Sequence, residues 1–373
     1  MDQKVTEYLR QQALAHPSMQ PGDVVKLCFQ AAYGAEHLLT DREAAYAYLR
    51  QEYEALSAGV PEEPLYEQIH TKVCRINLRP WKRRGLPLEW LFRMFVESSA
   101  HVPEDGDVLF PQYLTEAERL AEKGVFGFSL QKWRESGVLL CEEGIYRTTV
   151  DGPVHHSEIY RDAEAPAYRI VCSRYIRLLP ILEKLTELSE KTSDTCVIAI
   201  DGRCASGKTT LASMLAEVLD AGVIHMDDFF LPAKLRTSER LAEPGGNVHY
   251  ERFTEQVLPY LRSTAGFSYP RFDCGKMELG EEVWVRAGNY RIVEGAYSCR
   301  PAFGDYMDLR VFADVGPQKQ RDRIRCRDGE ESLRRFVERW IPMEEAYFAE
   351  EAFRCQWTKE AAVPFVLENG EIE

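Results

Sequence analysis

The pattern of apolar positions changes near residue 190. Before that point apolar residues recur at helical spacing, and Asp23 is placed to cap one such helix. The apolar face of that helix consists of Val24, Leu27, Cys28 and Ala31. The segment 167–188 also has a helical pattern, interrupted by Pro180. The sequence therefore predicts a mainly α-helical domain over residues 1–190.

After a polar stretch at 189–194, short apolar runs alternate with helical segments. The predicted strands are Cys196–Ile200, Val223–Met226, Tyr290–Val293, Leu309–Ala313 and Pro364–Leu367. Continuous apolar runs of this length are typical of a parallel sheet that helices cover on both faces. Residues 194–373 are therefore predicted to form an α/β domain. Its ligands should gather where the strands end.

The first of these strands leads into a Gly-x-x-x-x-Gly-Lys-Thr motif, the P-loop. Its backbone N–H groups can surround phosphate oxygens, Lys208 can reach the β- and γ-phosphates, and the Thr209 hydroxyl can bind Mg²⁺. The expected nucleotide-binding residues are Gly202, Arg203, Cys204, Ala205, Ser206, Gly207, Lys208, Thr209 and Thr210. An incidental glycine-rich turn is the alternative interpretation. The flanking strand and helix favour a P-loop NTPase domain that binds ATP.

Carboxylates follow two further strands. Asp227 and Asp228 come after the second strand, where carboxylates could deprotonate a hydroxyl and hold metal-bound water. An acidic helix cap would be the structural explanation for the pair. Glu294 follows the third strand and is the expected partner of Thr209 in holding magnesium.

Arginines are concentrated after the fourth strand, although the protein is acidic overall. Arg323 and Arg327 would share one face of a helix and could close over a transferring phosphoryl group. A solvated helix whose arginines pair with nearby carboxylates is the alternative. Arg334 and Arg335 are further candidates for the same role.

Taken together, these motifs resemble the uridine kinase-like family of P-loop kinases for small molecules. The similar pieces are residues 200–210, 227–230, 293–295, Arg323 and 327–328, all in the C-terminal half. The resemblance implies that Asp227 acts as the base for the acceptor hydroxyl. It also implies that Glu294 helps to hold magnesium and that the arginine-rich helix forms part of a lid over the phosphates.

The segments that should recognise the acceptor depart from the pyrimidine kinases of that family. Residues 270–277 carry Phe272 in place of a tyrosine and Met277 near the position of a base-recognising histidine. The aspartate that binds ribose has no clear counterpart in 245–253. Uridine is therefore not the expected acceptor. The residues expected to bind substrate are Asp228, His249, Tyr250, Arg252, Arg271 and Asp273, and Arg271 suggests an anionic group. A surface turn is the alternative for the 249–252 region.

Cys204 lies within the phosphate loop, where backbone N–H groups could favour its thiolate. One hypothesis is that oxidation of this thiol blocks nucleotide binding. The alternative is a small residue selected for its size.

The N-terminal half contains no catalytic motif that we recognise, but it has three polar clusters: 33–37, 75–79 and 155–161. His155 and His156 could take part in acid–base chemistry or ligand binding, although structural histidines are common. The run 72–84 is basic and could bind a phosphorylated ligand or RNA, or form a solvated basic face.

Composition and charge limit the other interpretations. The 373 residues carry a net charge of −14, so nucleic acid is an unlikely partner and an anionic membrane is disfavoured. The 10 cysteines form no C-x-x-C pair, and no signal peptide or membrane-spanning run is recognisable. A cytoplasmic location is expected. The oligomeric state stays open, a homo-oligomer included.

The sequence thus predicts a phosphotransferase that uses ATP and Mg²⁺ to phosphorylate a hydroxyl of a small molecule, nucleoside-like or sugar-like. The leading alternative is an ATP-driven switch that regulates a ligand- or RNA-binding N-terminal domain. A third interpretation makes the N-terminal domain a second enzyme that acts on the kinase product through His155 and His156.

Overall fold

The structure is a computed structural model. It describes residues 3–35, 39, 41–56, 63–101, 103–136, 139–142, 145–148, 155–189, 195–350 and 362–366. Contacts divide the chain into two units, Met1–Leu179 and Pro180–Glu373. This division lies at residue 179, whereas the change in sequence pattern lies at 190–194.

The first unit is mainly helical, as predicted. Its helices are α1 (Gln3–Ala15), α2 (Pro21–Tyr33), α3 (Arg42–Ala55), α4 (Leu78–Arg83), α5 (Leu88–Ser99), α6 (Gly106–Glu122), α7 (Leu130–Arg134) and α8 (Glu158–Glu164). Strands β1 (Tyr66–Gln68), β2 (Val73–Asn77) and β5 (Tyr168–Cys172) form an antiparallel sheet in the order β1-β2-β5. A separate hairpin pairs β3 (Leu139–Glu142) with β4 (Ile145–Thr148).

Two local expectations for residues 167–188 were wrong. The start of 167–188 is not helical, because Tyr168–Cys172 pairs with β2 as a strand and a 3₁₀ helix, Ser173–Leu178, follows it. Pro180 does not interrupt a helix. It is the second residue of α9 (Leu179–Ser189), where the missing N–H costs no intrahelical hydrogen bond.

Asp23 stabilises the start of α2 from inside the helix. The N-cap residue is Gln20, and the Gln20 N–H donates to Asp23 Oδ2 at 2.8 Å. Asp23 is therefore the third helical residue, and its carboxylate accepts from the cap rather than occupying it.

The second unit has the α/β fold predicted from the sequence. Its central strands are β6 (Cys196–Gly202), β7 (Gly222–His225), β10 (Tyr290–Glu294), β11 (Leu309–Asp314) and β12 (Ala362–Val366). They form a parallel sheet in the order β12-β11-β6-β10-β7. This arrangement, with a phosphate loop after the central strand β6, is that of a P-loop NTPase.

Helices flank the sheet, and a hairpin that the sequence did not reveal is added to it. The helices of this unit are α9, α10 (Lys208–Leu219), α11 (Ser238–Ala242), α12 (Tyr250–Gln256), α13 (Pro317–Arg335) and α14 (Ile341–Ala349). Helix α13 is kinked at Gly329 and continues into a π-helical turn, Phe336–Trp340. The hairpin pairs β8 (Phe267–Asp273) with β9 (Glu278–Val285). A buried core cluster of this unit includes side chains from β6, β7, α12, β8 and β10.

Candidate active site

The phosphate loop has the backbone geometry that its glycines permit. Gly202 has φ +138° and Gly207 has φ +95°, both in the region that side chains disfavour. A Cβ atom at position 202 would overlap the carbonyl oxygen of Ala313 in the neighbouring strand β11. Glycine at 202 therefore lets the loop leave β6 while it remains packed against β11.

Charged side chains hold the loop from both sides. Lys208 donates to the carbonyl oxygens of Gly202 and Arg203, both at 2.8 Å. Arg323 from α13 donates to the Ala205 carbonyl oxygen at 3.0 Å. The arginine-rich helix predicted to cover the phosphates thus contacts the loop through one of its two leading arginines.

The second leading arginine, Arg327, is paired with a carboxylate of its own helix. Arg327 forms a salt bridge of 2.7 Å with its neighbour Asp328, and this contact raises the pKa of Arg327 although burial opposes the shift. Arg334 and Arg335 are exposed near the end of α13. The charges of Cys204 and Asp227 also raise the pKa of Arg327, so this arginine lies near the phosphate loop although it pairs with Asp328.

Thr209 and Glu294 lie together, as the sequence predicted for a magnesium site. The Thr209 hydroxyl is 3.3 Å from both carboxylate oxygens of Glu294, which is almost fully buried at the end of β10. A hydroxyl and a carboxylate are hard oxygen donors of the kind that Mg²⁺ prefers. The residues present therefore fit a magnesium ion held by Thr209 and Glu294.

His225 is a member of this group that the sequence did not single out. Its Nδ1 lies 2.5 Å from Glu294 Oε1. The hydrogen bond that His225 donates to the Glu294 carboxylate raises the pKa of His225, although burial opposes the shift. A histidine at the end of a strand gives little signal on its own, since its partner is 69 residues away.

Asp227 lies two residues after His225, and its side chain is exposed although other protein groups lie around it. Enclosure by protein atoms raises the pKa of the Asp227 carboxyl, and the charge of Glu294 raises it further, while Lys208 lowers it. The carboxyl is thus open to solvent and close enough to Glu294 and Lys208 for their charges to act on it. Such a position suits a general base for a hydroxyl group.

Asp228 has a different environment from its neighbour. It is buried, and its carboxylate accepts a hydrogen bond from the Tyr269 hydroxyl and another from Arg271 Nε, both at 2.8 Å. These contacts fix the β8–β9 hairpin to the end of β7 and orient Arg271, whose side chain is about half exposed. Two of the predicted substrate residues, Asp228 and Arg271, are therefore in direct contact.

The predicted acceptor segment 249–252 is only partly available for substrate. Tyr250 is held between the guanidinium groups of Arg240 and Arg300, which lie 3.6 Å and 4.3 Å from its ring centroid. Arg252 is buried over the ring of Phe229 and donates to the Pro270 carbonyl oxygen. Tyr250 therefore has a packing role in this conformation.

Two polar atoms of the same segment have no hydrogen-bond partner among the described residues. They are Nη1 of Arg252 and Nδ1 of His249, both buried. Burial lowers the pKa of the His249 imidazole, so this ring is neutral and can accept or donate one hydrogen bond at each nitrogen.

Asp273 occupies the turn of the β8–β9 hairpin. Its Oδ1 accepts from the backbone N–H groups of Gly275 and Lys276 at 2.8 and 3.1 Å, and these bonds lower the pKa of its carboxyl. The carboxylate that the sequence analysis placed in the acceptor site therefore shapes the turn.

The Cys204 thiol is not activated. Burial and the carboxylate of Glu344 raise the pKa of this thiol, which is the opposite of the expected shift. The Cys204 backbone N–H is committed to Glu344 Oε2 at 2.9 Å, and Gln320 Nε2 lies 3.1 Å from the sulfur. The loop N–H groups therefore do not stabilise a thiolate here. Glu344, a buried residue of α14, gave no recognisable signal in the sequence.

Comparison with known proteins finds similar solved structures that each cover about half of the chain. No family model and no curated protein matches the chain. Among solved structures, the chain is similar to a Bacillus stearothermophilus protein described as a "possible uridine kinase", with 23% identity and a TM-score of 0.40. That match covers 52% of this chain and 98% of the other. A Silicibacter protein, provisionally described as a fructose transport system kinase, is 21% identical with a TM-score of 0.39. This second match covers 46% of this chain and 94% of the Silicibacter chain.

Each of these matches covers about half of this chain. Among the residues that the structure describes, no helix combines the length and apolarity needed to cross a membrane.

Proposed function

We propose that the second unit is an ATP-dependent kinase that transfers the γ-phosphoryl group to a hydroxyl of a small molecule. The observation that carries this proposal is the position of Asp227, whose carboxyl is exposed next to the phosphate loop and the Thr209–Glu294 pair. A nucleotidase needs only a positioned water, whereas an accessible base beside the phosphates suits an acceptor hydroxyl.

Each residue has a defined part in this scheme. Lys208 neutralises charge on the β- and γ-phosphates, and Arg323 steadies the loop that surrounds them. Asp227 accepts the proton of the acceptor hydroxyl as that oxygen attacks the γ-phosphorus. Mg²⁺, held by Thr209 and Glu294, would offset the negative charge that the β- and γ-phosphates carry.

The acceptor is nucleoside-like or sugar-like and is not uridine. Arg271, oriented by Asp228, offers an exposed guanidinium at the end of the hairpin that lies beside Asp227. Unpartnered atoms of His249 and Arg252 offer further hydrogen bonds to a polar acceptor.

A transfer screen tests the proposal. Purified protein is incubated with radiolabelled ATP, Mg²⁺ and a panel of nucleosides, sugars and vitamin precursors, and labelled products are separated by chromatography. We expect one hydroxyl compound to become labelled by the wild type and by the exposed-lysine control Lys72→Ala. Lys208→Ala should form no product. Full activity of Lys208→Ala would refute the scheme, and vigorous ATP hydrolysis that no acceptor affects would favour a nucleotide-driven switch.

A further inference from the structure

The first unit contains a cluster of polar side chains on one face of its antiparallel sheet. Cross-strand pairing places Arg75 opposite Glu67, and Asn77 opposite Tyr168. Arg75 and Asn77 are two residues apart on β2, so all four side chains project from the same face. The kinase proposal assigns no role to any residue of this unit.

A hydrogen-bonded chain runs from this face to helix α2. His156 Nδ1 lies 3.0 Å from Asp23 Oδ1, and His156 Nε2 lies 2.7 Å from the Tyr168 hydroxyl. Asp23 also accepts from the backbone N–H and the hydroxyl of Ser157 at 2.8 and 2.6 Å. The 75–79 and 155–161 clusters, separate in the sequence, therefore meet in the structure.

Two hydrogen-bond donors in this cluster lack partners among the described residues. The Tyr8 hydroxyl and Arg75 Nη1 are unpaired, although these residues are only 2% and 4% exposed. Arg75 lies over the ring of Tyr168, 4.7 Å from its centroid, and its other nitrogens face Glu67. Buried donors without acceptors are destabilising, so they are expected where another molecule supplies the acceptor.

Two cations adjoin the same chain. Lys26 lies one turn after Asp23 on α2, and Arg161 lies one turn after Ser157 on α8. Neither forms a hydrogen bond through its side chain or a salt bridge to any residue that the structure describes. The pKa of Lys26 is lowered to about 8, mainly because the residue is largely enclosed by protein. The charge of Asp23 opposes this shift, Arg161 and Arg169 add to it, and Glu52 opposes it weakly. Burial lowers the pKa of His156, and the hydrogen bond with Asp23 opposes the shift. The charges of Lys26 and Arg75 also lower it, so both cations are close enough to act on this ring.

We propose that the first unit binds a small oxyanionic ligand, a phosphate or a carboxylate, at Lys26 and Arg161, with the Asp23–His156–Tyr168 chain as the floor of the site. The two cations provide the charge that an oxyanion needs, and Arg75 and Tyr8 provide unmet donors. The charge of Asp23 acts on Lys26, but Asp23 forms no salt bridge with it, since its two oxygens accept from His156 and Ser157. This site is independent of the kinase proposal.

Calorimetric titration of the full-length protein tests the proposal. The phosphate loop is first saturated with Mg²⁺ and a non-hydrolysable ATP analogue, so that the second unit cannot contribute anion binding. Sodium phosphate and sodium succinate are then titrated separately, which distinguishes the two ligand sources. We expect Lys26→Gln and Arg161→Gln each to raise the Kd of the bound anion at least tenfold. Arg83→Gln removes an exposed positive charge from α4 and should leave the Kd unchanged.

A second measurement does not depend on the folding of a variant. The wild-type protein is reductively methylated with ¹³C-formaldehyde, and the Lys26 resonance is identified by its loss in Lys26→Gln. Binding of the anion should move the titration midpoint of that resonance to higher pH. The proposal is overturned if neither anion binds at millimolar concentration, if Lys26→Gln binds like the wild type, or if the midpoint does not move.

Discussion

The hydroxyl of Tyr347 donates a 2.8 Å hydrogen bond to Oδ2 of Asp201, and both residues are fully enclosed. Asp201 precedes the first glycine of the phosphate loop, and its carboxylate also accepts from the backbone N–H groups of Gly202, Tyr297 and Cys299. One buried carboxylate therefore ties together the start of the loop, the segment after β10 and helix α14. Burial raises the pKa of this carboxyl, although its hydrogen bonds oppose the shift.

Replacing Tyr347 with phenylalanine should destabilise the second unit. The ring can still pack, but the carboxylate loses one donor in a site without water access, which costs about 1–3 kcal/mol. Urea unfolding of the wild type and Tyr347→Phe measures the change. In an Asp201→Asn background the same substitution should cost less, because the charge that needs the donor is gone. Equal costs in the two backgrounds would show that the hydrogen bond contributes little.

The Gly202→Ala substitution should be far more damaging than its chemistry suggests. The added methyl group would overlap the Ala313 carbonyl oxygen, so either the loop or strand β11 must move. We expect either loss of soluble protein or a melting temperature lowered by more than 10 °C. Such a shift corresponds to a loss of about 3 kcal/mol or more in the free energy of unfolding. Gly304→Ala is the matched control, because Gly304 also has positive φ, at +70°, but has open space around it. If the two variants have equally lowered melting temperatures, backbone strain at positive φ causes the destabilisation, and overlap with Ala313 does not.

Asp227→Asn separates binding from transfer. An amide cannot accept the acceptor proton, so turnover should fall by about 10²–10⁴-fold while the Kd for the nucleotide stays within about threefold. Asp322→Asn, at an exposed position of α13, is the control and should retain activity. Initial rates and equilibrium binding of a fluorescent nucleotide provide the two measurements. A parallel loss of both quantities would assign Asp227 to metal binding instead.

Local patterns predicted the parts of the second unit that depend on local sequence. Strand β6, which leads into the loop, is an apolar run, and the spacing of the P-loop motif itself positions its glycines and Lys208. The β8–β9 hairpin was missed because β9 is largely exposed and rich in glutamate, so it lacks the pattern of a buried strand. Asp228 illustrates a second limit. Its role depends on Tyr269 and Arg271, more than 40 residues away, which no local pattern reveals.

The Cys204 thiol should react slowly with alkylating reagents. The thiolate is the reactive form, and burial with the nearby Glu344 carboxylate raises the pKa of this thiol. Brief treatment with iodoacetamide at pH 7.5 followed by peptide mass spectrometry should show modification at the exposed Cys274 and Cys326 before Cys204. Fast labelling of Cys204, blocked by ATP, would restore the hypothesis of a redox-sensitive loop.

Asp23 should make the first unit sensitive to acid. Burial alone would raise the pKa of this carboxyl, but hydrogen bonds from His156, Ser157 and Gln20 outweigh it and leave the pKa lowered. A carboxyl whose folded pKa lies below its unfolded value stabilises the fold above the unfolded pKa, about 3.9. That contribution is lost as the pH falls through the folded pKa.

The unfolding free energy of the wild type should therefore exceed that of Asp23→Asn by the largest margin near pH 6–7, with the margin shrinking below about pH 4. Hydrogen exchange of peptides from the first unit, measured at several pH values, reports this difference without interference from the second unit. Asp162→Asn, at an exposed position of α8, should show no such margin at any pH. A margin for Asp23→Asn that stays constant from pH 3 to pH 7 would mean that its carboxylate is not stabilised by these hydrogen bonds. In that case Asp23 would not supply the charge that orients His156 in the proposed oxyanion site.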